Sequence, residues 1–177
     1  MGHNSSTKKR HPKHVKGPKP EKVPKYEVPK YVQAGSISKT KVPKAEIDNI
    51  DELNEMKIIF RFDLVDLEPD CPWSLAKMSE SDHAEFLKKL KQFEYSKVGE
   101  LKSPRLGSFK TYHDFSKCPN QDPVERLGKY YEFEGDSIAR FRLSGKKRLY
   151  GFLIDNGFHI VWWDPEHEIW PSKKKHT

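Results

Sequence analysis

The chain has 177 residues, a hydrophobic content of 34%, a charged content of 33% and a formal net charge of +7, which suits one ordinary domain with an additional segment. Its two cysteines, Cys71 and Cys118, are too far apart for a CxxC metal or redox motif. No apolar run approaches the roughly 18 residues of a membrane span, and no secretory signal follows the first residue. We therefore expect a cytoplasmic protein with no membrane segment.

The positive charge is concentrated in residues 1–44, which hold twelve Lys and Arg residues, two Glu and six Pro. Because the whole chain carries +7, residues 45–177 carry a net charge of −3. Residues 1–44 have few large aliphatic side chains, so we predict a disordered basic arm. It is either a soluble tether or an arm for phosphates or an acidic partner, and its interleaved Lys and Tyr slightly favour nucleic acid.

An acidic connector at 45–56 precedes the region predicted to fold, 57–172, and residues 173–177 form a basic tail. Alternation over 57–67 predicts a strand with one apolar face. A helix is predicted over 81–94, because Phe86, Leu87, Leu90 and Phe93 form one stripe. Residues 102–120 look irregular, and Asp122-Pro123 predicts the start of a short helix.

The last third of the chain predicts three strands, at 138–144, 148–154 and 158–163. Asn156-Gly157 is typical of a two-residue hairpin turn. For the first hairpin, an odd loop at 145–147 places Phe141, Leu143 and Leu149 on one apolar face, together with Trp162. The predicted class is α+β: an antiparallel-rich sheet, made of the N-terminal strand and a C-terminal three-stranded meander, packed on two or three helices.

The opposite face of the meander mixes arginines with aromatic and histidine side chains, which are costly to bury and well suited to binding. We expect this face to hold RNA or a partner. Its candidate residues are Arg140, Arg142, Lys146, Lys147, Tyr150, His159 and Trp163.

The element order, and the hairpin text RFRLSGKKRLYGF followed by IDNGFHIVWW, resemble the RelE/ParE-type toxin superfamily over residues 57–170. Members are small β-α-α-β-β-β domains. Many cleave messenger RNA on the ribosome, whereas others act on gyrase or have no nuclease activity. The resemblance implies a ribosome-associated endoribonuclease and a small antitoxin partner that covers the arginine-rich face.

Residue by residue, Arg148 resembles the family's hairpin arginine, which neutralises the phosphate under attack. Lys146 and Lys147 lie near the family's loop lysines, and His167 lies where some members carry a His/Tyr acid–base pair. This chain departs from the pattern at its end. Acidic residues surround His167 in place of the usual last-strand arginine, and Trp170 stands near the place of the final Tyr.

RNA cleavage by 2′-hydroxyl attack needs a base, an acid and cations on the phosphorane, and requires neither metal nor cofactor. We expect Arg148 to stabilise the phosphate and His167 to handle protons, its pKa raised by Glu166 or Glu168. One alternative is that Asp164, Glu166, His167 and Glu168 hold a metal. A second alternative is that the whole protein is a non-catalytic module that binds nucleic acid or protein. A third concerns His167 alone, which would be a turn residue held by its acidic neighbours.

Overall fold

The computed structural model describes residue 1 and residues 38–105, 107–132 and 137–171. Predictions for the arm at 2–37 and for the basic tail at 173–177 lie outside the described residues. So does the acidic stretch at 133–136. Residues from 36 onward form one unit, which contains every helix and strand of the described chain.

Helices and strands are interspersed along the described chain. The helices are α1 (Ile50–Glu55), α2 (Glu80–Phe93), α3 (Val98–Lys102) and α4 (Asp122–Tyr130). The strands are β1 (Thr40–Lys41), β2 (Ile59–Arg61), β3 (Phe109–Tyr112), β4 (Tyr131–Glu132), β5 (Ile138–Arg142), β6 (Arg148–Ile154) and β7 (Gly157–Asp164).

Local signals set the helices. Helix α2 begins after Ser79, whose hydroxyl accepts the backbone N–H of Asp82 at 3.1 Å, as an N-cap does. The predicted helix is confirmed, and its stripe buries Phe86 and Leu90, whereas Leu87, which was also expected on that stripe, is 51% exposed. Helix α4 begins at Asp122 with proline in its first turn, also as predicted.

The five-stranded sheet has the order β2-β7-β6-β5-β3. Strand β2 runs parallel to β7, and the other neighbours are antiparallel. The α+β prediction of an N-terminal strand joined to a three-stranded meander is therefore confirmed. A second, two-stranded sheet pairs β1 with β4 in parallel.

Three boundaries differ from the sequence expectations. Strand β3 lies in the segment predicted to be irregular, and β1 lies in residues assigned to the arm. The strand predicted over 57–67 is limited to β2, and Phe62, which was expected on its apolar face, is 53% exposed. Tertiary pairing explains each case, because two-to-four-residue strands carry too little periodicity to be read locally.

The loop of the first hairpin is odd, as predicted, but Phe141 pairs with Leu149 and Arg142 with Arg148. The loop is therefore 144–146 and not 145–147. The expected sharing of one face by Phe141, Leu143 and Leu149 is confirmed, since all three belong to one core cluster.

The turn of the second hairpin was predicted one residue too late. Ile154 pairs with Gly157, so the turn residues are Asp155, with φ +52°, and Asn156. The Asp155 carboxylate accepts the backbone N–H groups of Glu46 and Ile47. These contacts with the preceding connector favour the observed turn over Asn156-Gly157.

A β-bulge between Tyr150 and Gly151 shifts the pairing of β6 with β7. Such a bulge adds one residue to one strand and exchanges the faces beyond it. As a result Trp163, not Trp162, packs with Phe141 and Leu149. Trp162 lies on the other face, next to Trp73. The predicted assignment of the two tryptophans was therefore wrong.

Both faces of the sheet are covered. One core cluster includes Phe86, Leu90, Phe141 and Phe158. The other joins Tyr150, Phe152 and Trp162 to side chains from outside the meander: Leu64, Cys71, Trp73, Tyr112, Phe115, Cys118, Leu127, Tyr131 and Ile169. The expectation of one open mixed face is therefore wrong for most of its length.

Candidate functional site

Three arginines lie at one end of the sheet face that carries Tyr150, where Arg142 is exposed, Arg140 is half-buried and Arg148 is buried. Arg140 and Arg142 come from β5, and Arg148 from β6. Arg142 pairs with Arg148, and Arg140 pairs with Tyr150 on one side and Lys110 on the other. Paired residues share a face of the sheet, so the three guanidinium groups and the Lys110 ammonium group are neighbours. We call Arg140, Arg142 and Arg148 the arginine cluster.

The arginine cluster has no carboxylate partner among the described residues. Arg148 is 6% exposed, and its Nη1 donates to the carbonyls of Gly145 at 2.8 Å and Lys147 at 2.9 Å. The Nε atoms of Arg140 and Arg148 are buried without a hydrogen-bond partner in the described chain. Burial, then the charges of Arg140 and Arg142, lower the pKa of Arg148. An anion would relieve this repulsion and desolvation.

Asp164 pairs with Arg148 across the strands, yet its carboxylate is directed to the backbone. It accepts the N–H groups of Glu168 at 2.9 Å and Ile169 at 3.0 Å, and burial raises its pKa. These bonds fold residues 165–169 back against the strand end, where His167 adopts a φ of +63°. Asp164 therefore shapes the loop that carries His167.

His167 lies close enough to the arginine cluster for its titration to respond. Burial, then the charges of Arg148, Arg140 and Arg142, lower the pKa of His167. The expectation that neighbouring glutamates raise this pKa is wrong. The Glu166 carboxylate pairs with the Lys146 ammonium at 3.0 Å, and the side chain of Glu168 is exposed. A neutral imidazole beside guanidinium groups is suited to accept a proton.

The two hairpin lysines have carboxylate partners. Lys147 Nζ lies 2.7 Å from Asp82 and 2.5 Å from Glu85, so it ties the hairpin to α2. Lys146 ties the same hairpin to Glu166 in the C-terminal loop. Both lysines were expected to contact RNA directly. In the structure they instead pair with carboxylates, Lys147 with those of α2 and Lys146 with that of the C-terminal loop.

Three predicted binding residues are buried. Tyr150 is 0% exposed, Trp163 is 3% and His159 is 5%. Burial raises the pKa of Tyr150. His159 Nδ1 lies 2.8 Å from Asp63 Oδ1. The expectation that these side chains form an open stacking surface is wrong, because one core cluster covers Tyr150 and Trp163 packs in the other, on the opposite face.

Sequence reasoning missed the contribution of β3. Lys110 lies over the Tyr112 ring at 4.6 Å, and Tyr112 stacks on Trp170 with 4.1 Å between ring centroids. The alternation in Phe109-Lys110-Thr111-Tyr112 was the available signal, but four residues were too few to outweigh the surrounding turn residues. Strand β3 therefore adds a basic and aromatic border to the arginine cluster.

A cavity of about 730 Å³ contains none of the predicted site residues. It borders β1, the end of β6 and the start of β5. Its polar lining includes Lys41, Lys44, Lys102, His113 and Glu132. In the part of the chain that the structure describes, no group of three or more His, Cys, Asp or Glu side chains could hold a metal ion. This gives no support to the metal-site alternative at 164–168.

Within the described ranges, no helix combines the length and the apolar character needed to cross a membrane. Comparisons with protein-family models, curated proteins and solved structures each gave no significant match.

Proposed function

We propose that this chain is a RelE-like toxin domain that binds RNA through the arginine cluster and cleaves ribosome-associated messenger RNA. The element order supports the proposal: a strand, helices and then a three-stranded meander, with β3 as an addition. Arg148 corresponds to the family's hairpin arginine and His167 to its C-terminal acid–base residue. We further propose that the protein acts in the cytoplasm and that a small antitoxin covers the arginine cluster.

One observation carries the proposal: three neighbouring guanidinium groups have no carboxylate partner in the described chain. Like charges placed directly opposite each other destabilise a sheet, so their presence needs a compensating ligand. A phosphate group provides oxygen acceptors that guanidinium groups bind in a fork geometry. An RNA backbone provides such groups in series.

The proposed chemistry needs no metal. The arginine cluster neutralises the phosphorane, and His167, whose pKa is lowered, accepts the 2′-hydroxyl proton as that oxygen bonds to phosphorus. The bond from phosphorus to the 5′-oxygen then breaks, and water supplies the proton that the 5′-oxygen takes up. Glu166, which pairs with Lys146, holds the loop. Glu168 is available to take part in proton transfer. The basic arm would add nonspecific phosphate affinity.

Binding can be tested with the full-length protein, Arg142→Gln and the control Lys88→Gln. Arg142 and Lys88 are both exposed, and their side chains form no hydrogen bond or ion pair among the described residues. We expect Arg142→Gln to weaken binding to a single-stranded RNA and to reduce the slope of log K against log salt by about 1. Lys88→Gln should match wild type. Equal affinity and slope in Arg142→Gln would overturn the proposal.

Cleavage is tested separately with His167→Gln, which should bind RNA and not cut it. Inducible expression of wild type should arrest growth, and Arg148→Ala should relieve the arrest. Because Arg148 is buried, Arg140→Gln with Arg142→Gln serves as a second variant, and circular dichroism checks the fold. Salt-sensitive binding with neither cleavage nor arrest would instead assign the non-catalytic module.

A further inference from the structure

A second polar constellation lies at the edge strand β2, away from the arginine cluster. His159 Nδ1 lies 2.8 and 3.1 Å from the two carboxylate oxygens of Asp63. The side chain of His159 is 7% exposed and that of Asp63 is 51% exposed. The carboxylate can only accept, so Nδ1 donates in this contact, and in the tautomer protonated at Nδ1 alone the Nε2 lone pair is the acceptor of the ring. Nε2 has no hydrogen-bond partner among the described residues.

Arg61 stands beside this imidazole, because it is the register partner of His159 in the parallel pairing of β2 with β7. Arg61 is exposed and has no hydrogen bond or ion pair within the described residues. A Cβ placed on Gly157 would lie 3.2 Å from Arg61 Nε and 3.3 Å from His159 Nε2. Both nitrogens therefore lie close to Gly157 and to each other, and a side chain at this position would crowd them.

In that tautomer the arrangement offers one acceptor, Nε2 of an imidazole oriented by a carboxylate, next to one cationic donor, Arg61. A complementary ligand presents a hydroxyl group beside an anionic oxygen. In RNA the ribose 2′-hydroxyl and the adjacent 3′-phosphate have this relationship, and DNA lacks the hydroxyl. We propose that His159 accepts a hydrogen bond from a ribose 2′-hydroxyl while Arg61 binds the neighbouring phosphate, with Asp63 as the positioning residue.

The ribose–phosphate site is distinct from the arginine cluster. His159 precedes Asp164, the partner of Arg148, by five residues of β7, which corresponds to roughly 16 Å along an extended strand. Naming an RNA chain as the source of the ribose rests on the proposed function. The recognition of a hydroxyl beside a phosphate rests on Asp63, His159 and Arg61 alone.

The test follows the ¹⁵N shifts of the His159 ring in the full-length protein. The probes are a short RNA, DNA of the same sequence and uridine 3′-monophosphate. We expect the RNA and the nucleotide to move the Nε2 resonance, and the DNA to move it at least tenfold more weakly in apparent affinity. Arg61→Gln should weaken both responses about tenfold, and Lys88→Gln should leave them unchanged. Asp63→Asn should alter the tautomer before ligand is added and weaken the response.

Equal responses to RNA and DNA, or equal affinity in Arg61→Gln, would overturn the inference. A response to the nucleotide that Arg61→Gln weakens, without one to the RNA chain, would support the site and identify a free ribonucleotide as its ligand. Arg142→Gln separates the two proposals. If RNA binding depends on Arg142 while His159 is silent, the proposed function stands and this inference fails. If RNA binding does not depend on Arg142 but the nucleotide still moves the His159 resonance, the ribose–phosphate site stands and the proposed function fails.

Discussion

Arg142 and Arg148 lie directly opposite each other on neighbouring antiparallel strands, and neither has a carboxylate partner in the described chain. Two positive charges placed directly opposite each other repel, and this repulsion opposes folding. Removing one of the two arginines should therefore weaken RNA binding and raise the free energy of unfolding.

The first prediction concerns stability. Arg142→Gln removes one member of the like-charge pair, so it should raise the free energy of unfolding by roughly 0.2–1 kcal/mol. Urea unfolding of the variant and of Lys88→Gln measures the difference. A variant less stable than wild type would show that Arg142 has a stabilising contact, contrary to the proposed repulsion.

The second prediction concerns the titration of His167. Burial and three arginine charges lower its pKa below 6.5, so Arg142→Gln should raise the pKa of His167 toward that value. A pKa lowered by folding contributes stability that is present above about pH 6.5 and is lost as pH falls through the folded-state pKa. NMR titration measures the shift. An unchanged pKa in Arg142→Gln would place the imidazole out of reach of the Arg142 charge.

The third prediction concerns the buried carboxylate of Asp66. Its oxygens accept from Arg126 Nε at 2.5 Å and Nη2 at 3.0 Å, and from Trp162 Nε1 at 2.9 Å. Burial opposes ionisation, but these bonds outweigh it and lower the pKa of Asp66 below 3.8. Its stabilising contribution is therefore complete above about pH 4 and is lost as pH falls below it.

Asp66→Asn should lower the free energy of unfolding by about 3–5 kcal/mol at pH 7, because it leaves Arg126 without its buried partner. Asp70→Asn is the matched control, since Asp70 contacts the same guanidinium from an exposed position. Thermal unfolding between pH 3 and 7 compares them. Equal destabilisation by both substitutions would contradict the central role of Asp66.

The fourth prediction concerns Gly151, which lies in β6 next to the β-bulge; the extra residue of that bulge is in β7. A Cβ on Gly151 would lie 2.2 Å from the backbone oxygen of His159, so Gly151→Ala should destabilise the protein by roughly 3 kcal/mol or more. Gly128 is helical and has no atom within 4 Å of an added Cβ. Gly128→Ala should therefore stabilise by about 0.5–1 kcal/mol. Similar unfolding midpoints for the two variants would refute the close approach.

The fifth prediction concerns the two hairpin lysines. Lys147 is 30% exposed and contacts two carboxylates, of Asp82 and Glu85, that are 23% and 28% exposed, whereas Lys146 is 71% exposed with a single exposed partner. Lys147→Gln should cost about 1 kcal/mol, and Lys146→Gln close to nothing measurable. Denaturant titration measures the free energy of unfolding of both variants. Equal losses would show that the ion pairs of Lys147 with α2 do not stabilise the hairpin.

Local periodicity was sufficient for several features. The stripe of α2, the Asp122-Pro123 start of α4 and the odd loop of the first hairpin were predicted because each depends on neighbouring residues. Alternation along β5 and β6 also placed Arg140, Arg142 and Arg148 on one face. These are short-range consequences of helix and strand geometry, which the residues themselves determine.

Only the tertiary structure decided which surfaces are covered and which charges are paired. The segments around Leu64 and Trp73, and Ile169 near the chain end, come from distant positions to bury Tyr150 and Trp162. Asp82 and Glu85 of α2 neutralise Lys147. The close contact of Gly151 with the backbone of His159 accompanies a bulge that exchanges the faces of Trp162 and Trp163. Such long-range contacts depend on packing, so alternation along one strand cannot predict them.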